Sequence, residues 1–156
     1  MEQMQEKSGM MNPYTSLAIQ TLVSGVIMYL VMFVMIDGLS SFYNNLNMVY
    51  MTLMMVAPMV ILMIVAMKHM FPNKTANLII LGISMVAFLG SFALIRTQTT
   101  IGDRAFLRSM IPHHSGAILM CQQASIRDAA VKTLCSNIIR SQRQEIDQME
   151  VILKRM

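Results

Sequence analysis

Residues 76–95 read ANLIILGISMVAFLGSFALI, an uninterrupted charge-free run bracketed by Lys74 and Arg96. A helix rises about 1.5 Å per residue, so roughly 20 such residues cross the hydrocarbon of a bilayer. The intervals from Lys7 to Asp37 and from Asp37 to Lys68 are also free of charge and similarly apolar. Three transmembrane helices are predicted, at 17–36, 48–67 and 76–95. Three isolated strands would leave their backbone groups unpaired in lipid, which excludes a β reading. Pro58 is expected to kink the second span, because proline removes a backbone donor and crowds the preceding turn.

Working outward, the composition agrees with that reading. The chain has 156 residues, of which 55% are hydrophobic and 13% charged, with a mean hydropathy of +0.55. Such values suit a membrane protein. Up to Ile95 three bases (Lys7, Lys68, Lys74) balance three acids (Glu2, Glu6, Asp37), so the formal net charge of +4 sits entirely in the tail. The tail's bases alternate with Asp128, Glu145, Asp147 and Glu150 and form no run. That pattern describes a solvated helical face and not a nucleic-acid surface. The chain divides into an N-terminal segment (1–16), a three-helix anchor (17–95), a linker (96–102) and a helical tail (103–156).

The first span is too long for a signal-peptide core, and no small-x-small cleavage site follows it, so an uncleaved anchor is expected. Short loops rich in Lys and Arg stay in the cytoplasm. The loop from Asp37 to Asn47 contains neither, which places the N-terminus inside and the tail outside.

Of the 20 methionines, most precede residue 71. Met28, Met32 and Met35 share one face of the first span; Met48, Met51, Met55, Met59, Met63, Met67 and Met70 share one side of the second. Thioethers are soft ligands, and paired stripes of them can form a path for Cu(I) or Ag(I). Methionine is also a flexible packing residue, and a stripe at helical spacing is read first as packing. No span carries an ionisable residue near its centre, whereas ion and proton pathways usually need one. A pump or secondary transporter acting alone is therefore not expected.

In the tail, Asp103 is positioned to cap a helix, and Phe106, Met110, His113, Ala117, Met120 and Ala124 recur at spacings of three and four. A turn at 125–128 leads to a second stripe: Val131, Leu134, Ile138, Gln142, Glu145, Met149 and Ile152. An antiparallel helical hairpin follows. Two helices bury little apolar area, so pairing with another copy, a homo-oligomer, is expected to complete a four-helix arrangement. His113, Gln142 and Glu145 occupy positions where a core would be apolar, and an unpaired buried polar group costs roughly 1–3 kcal/mol. Reflecting the chain about residue 128 brings His113 and His114 level with Gln142, and Met110 level with Glu145 and Met149. Adjacent helical residues diverge by about 100°, so His113 and His114 face one seam only if the helix bends at Pro112 or a second subunit approaches. These residues form either a soft-metal site or a hydrogen-bonded cluster without metal.

The same residues carry a resemblance. Asp103-x-x-Phe106-x-x-x-Met110-Ile111-Pro112-His113-His114-Ser115-Gly116-Ala117, followed after the turn by Ile138-x-x-x-Gln142-x-x-Glu145-Ile146-x-x-Met149, resembles the CopM-like ferritin-like helical domain family (domain of unknown function 305). The likeness covers the last third of the chain, as a single copy of the unit. It implies an extracytoplasmic bacterial domain that binds copper or silver. Met110, His113, His114, Met120 and Met149 become candidate ligands; Asp103 and Glu145 become ligands or orienting groups, with Gln142 behind them. The three spans inherit nothing from it.

Cys121 and Cys135 each lie seven residues from Asp128, hence level near the turn. Outside the cytoplasm they can form a disulfide; inside, they are free thiols or soft-metal ligands. A pair of small buried hydrophobes is the alternative to the disulfide.

The expectation is an all-α protein of a bacterial cytoplasmic (inner) membrane that binds copper or silver in metal homeostasis or tolerance, alongside other metal-handling membrane proteins. The alternatives are a structural or partner-docking membrane module without metal, and a thiol or metal oxidoreductase. Di-iron bundles repeat Glu-x-x-His pairs; here Met110 stands three before His113, leaving too few carboxylates for two irons. No catalytic residue is expected.

Overall fold

A computed structural model describes residues 12–156, and the start of the N-terminal segment lies outside them. Five α-helices follow one another: α1 (Pro13–Val31), α2 (Leu46–Ala66), α3 (Lys74–Thr97), α4 (Asp103–Gln123) and α5 (Ala129–Arg155), with a single 3-10 turn at Leu39–Ser41 between α1 and α2. No strand occurs among the described residues. The protein is all-helical, and α1, α2 and α3 are each long and apolar enough to cross a membrane.

Asparagines start all three spans. Side-chain oxygens of Asn12, Asn45 and Asn73 accept from the backbone N–H of Tyr14, Met48 and Ala76, satisfying donors that the first helical turn leaves free. Asn12 and the following Pro13 explain why α1 begins before the expected residue 17. It also ends early, at Val31, and the chain continues through turns to Met35. α3 stops where Gln98 adopts a left-handed conformation (φ 53°). α2 runs through Pro58 as one helix.

α2 is the centre of the anchor, with α1 and α3 packed on it. Leu17, Val56, Val60, Ile64 and Phe71 form its core, and Met28, Met59, Met63 and Met67 pack against that core. Met51, Met55 and Met70 are exposed. The Met stripe along and just past α2 is therefore split between core and exposed positions.

α4 and α5 form the antiparallel hairpin, with Asp128 capping α5 through the Val131 N–H. Gly102, not Asp103, is the N-cap of α4; Asp103 is its first helical residue and its acid lies in the first turn, where the helix dipole favours a negative charge. The buried residues of α4 are Leu107, Ile111, Pro112, Ser115, Gly116 and Ile118. The expected stripe through Phe106, His113 and Met120 is instead exposed. The reason is that α4 packs on two sides, against α5 and against the segment joining α1 to α2, and the combined contact rotates the buried surface. On α5, Met149 is buried and Gln142 and Ile138 are half-buried, while Val131, Leu134, Glu145 and Ile152 are exposed.

Candidate metal centre

His114 follows Pro112 by two residues on α4 and faces α5. Its Nδ1 lies 3.1 Å from Glu145 Oε2, yet that nitrogen is buried without a hydrogen-bond partner. The pair stands at ion-pair distance with no directed hydrogen bond between them, and distance alone is not a bond. Burial pushes the His114 pKa below its ordinary value; the Glu145 carboxylate opposes this without reversing it, and His113 adds to the depression. A neutral imidazole with an unengaged nitrogen is the form that coordinates metal. Gln142, one turn before Glu145, also keeps a buried Oε1 without a partner.

One turn further along, Met110 packs on a cluster formed by Leu107, Ile111 and Met149. Tyr43, from the α1–α2 segment, packs on the same cluster. Burial raises the Tyr43 pKa and the nearby Glu150 carboxylate raises it further, while Arg108 acts in the opposite sense.

The remaining candidates stand apart. His113 is exposed, its ring centroid 6.2 Å from that of His114. Met120 is 53% exposed, and six residues of helix separate it from His114 by about 9 Å. Asp103 is exposed and lies about 10 Å along the helix from Met110. Among the described residues no three His, Cys, Asp or Glu side chains converge as a cation site. One chain thus gathers one imidazole, one carboxylate and two nearby thioethers.

Cys121 and Cys135 are joined by a disulfide, with Cα atoms 5.2 Å apart and a sequence separation of 14. It staples the hairpin near its turn, at the level that reflection about residue 128 predicts.

Sequence reasoning missed how the hairpin is held to the anchor. Ser115 is fully buried; its hydroxyl accepts from the Asp37 N–H at 2.7 Å and donates to the Asp37 carboxylate. A Cβ on Gly116 would come 3.3 Å from the Met35 carbonyl, so glycine permits the close approach. The signal was an isolated acid between two spans and a Ser-Gly pair inside a helix. The metal reading explained neither.

These features define a multi-pass membrane protein that carries a disulfide-stapled helical hairpin against one end of its anchor. The family model described as "Domain of unknown function (DUF305)" matches residues 91–153, from the last turns of α3 to the end of α5. The uncharacterized protein L153 of Acanthamoeba polyphaga mimivirus is 40% identical over 112 residues, covering 70% of this chain and 71% of that protein. A match that long extends beyond the hairpin into the anchor. No solved structure matches. The chain belongs to the DUF305 family.

Proposed function

We propose that the hairpin binds a soft metal ion, copper or silver, on the extracytoplasmic side of the membrane, in metal homeostasis or tolerance. The observation that carries this reading is the buried Nδ1 of His114, which has no hydrogen-bond partner although Glu145 stands at 3.1 Å. A buried polar atom without a partner costs free energy unless a ligand takes it up. Met110 and Met149, in the adjoining cluster, supply thioethers suited to Cu(I) or Ag(I). The ion is cargo held by these side chains and no reaction is assigned to it. The disulfide supports an oxidising compartment for the hairpin, which agrees with the tail-outside orientation expected from the uncharged first loop. That the membrane is a bacterial inner membrane comes with the family resemblance.

The test is metal analysis of the full chain in detergent after loading with silver or Cu(I). A His113→Ala, His114→Ala double variant is expected to lose the bound metal while keeping its helicity. Unchanged stoichiometry would refute the reading and favour a partner-docking module.

A further inference from the structure

α4 presents three faces. One meets α5 and carries Leu107, Ile111 and Cys121. A second meets the anchor, where Ser115 and Gly116 lie on Asp37 and Met35. The third carries Phe106, His113 and Met120 at intervals of seven, all exposed, Phe106 at 51% and Met120 at 53%. At about 100° per residue this line stands roughly a third of a turn from each of the other two faces.

The line is symmetrical. His113 is the middle residue of α4 (Asp103–Gln123), with Phe106 seven residues before it and Met120 seven after. A second α4 laid along this face in reverse sets Phe106 against Met120 twice and His113 against His113. Aromatic–thioether contacts are favourable, and a self-complementary patch is what a two-fold interface requires.

The anchor selects the reversed arrangement. α4 starts shortly after α3 ends, packs against α2, and has its middle on the residues just past α1. It therefore lies across the end of the anchor. Copies inserted in one bilayer with the same orientation are related by rotation about the membrane normal, and a two-fold about that axis reverses any helix lying across it.

We infer that a second copy of this chain docks along Phe106, His113 and Met120, antiparallel to the first, and that the two His113 imidazoles hold one soft monovalent cation on the two-fold axis. His113 makes no hydrogen bond among the described residues, and a single chain offers no cluster of three ligating side chains there. The cation rests on the soft-metal reading above; the docking line does not.

The experiment uses the full chain in lipid vesicles. Ser109 and Ala117 flank His113 by four residues on either side, so in the antiparallel pair each meets the other. Chains carrying Ser109→Cys and chains carrying Ala117→Cys, mixed and treated with a short bis-maleimide, are expected to cross-link at least fivefold more than either variant alone. Stronger Ser109→Cys self-linking, or no linked dimer in the mixture, overturns the docking. Silver titration is expected to give half an equivalent per chain less in His113→Ala than in wild type. Loss of a full equivalent, or no loss, overturns the shared site and leaves metal binding elsewhere in the hairpin intact. A wild type that takes up no silver ends the soft-metal reading and the shared cation together, even where the cross-link forms.

Discussion

Reducing the Cys121–Cys135 disulfide should loosen the turn end of the hairpin by an amount that the chain length sets. In the loop-closure description, tying residues 14 apart removes about 10 cal/mol/K of entropy from the open ensemble, or about 3 kcal/mol at 25 °C. That corresponds to a factor of roughly 150 in the opening equilibrium. The anchor need not unfold for this to be read, because hydrogen exchange reports local opening. In detergent, amide protection in the last turn of α4 and the first turns of α5 is expected to fall about 100-fold on reduction or in a Cys121→Ser, Cys135→Ser variant. Protection in α2 should be unchanged. A turn end whose protection moves less than fivefold would refute the reasoning, since the reduced hairpin would then be held closed by packing alone.

Ser115→Ala leaves the Asp37 N–H without its hydroxyl partner and the carboxylate with the Ser41 hydroxyl in place of two donors, at a cost of about 1–3 kcal/mol in the contact between hairpin and anchor; faster proteolysis within 35–45 measures it. Gly116→Val adds atoms where even a Cβ sits 3.3 Å from the Met35 carbonyl, so overpacking of about 1–3 kcal/mol should separate α4 from the anchor, read as increased exchange at 35–43. His114 has its pKa lowered by burial, so the folded hairpin binds fewer protons at this site than the unfolded chain does. Its contribution to stability is complete above the ordinary histidine value of about 6.5 and is lost as pH falls from there through the depressed value. Glu145→Gln removes the group that opposes the depression, so the His114 titration followed by NMR should move further down; an upward move would contradict the geometry.

Much of the architecture was legible in the residues. The charge-free intervals mark the helices, and lipid leaves the backbone no other way to satisfy itself. The hairpin register was legible too, because a tight turn at Asp128 makes a reflection, and the disulfide between Cys121 and Cys135 falls on it. Helix ends were less so: Asn12 and Pro13 moved α1 towards the N-terminus, a capping effect that a count of apolar residues does not contain. Of the candidate ligands, His114, Glu145, Met110 and Met149 are gathered near one another, whereas Asp103 and Met120 are two turns away or exposed.

Sequence alone determined that three segments cross a bilayer and that a two-helix tail follows, since both rest on local periodicity and on the cost of charge and unpaired backbone in hydrocarbon. Only the tertiary structure decided which side of α4 is buried. An amphipathic stripe states that a face is apolar but not what will cover it. Contacts from α5, from Tyr43 and from the Asp37–Ser115 clamp turned His114 inward and left His113 on the outside.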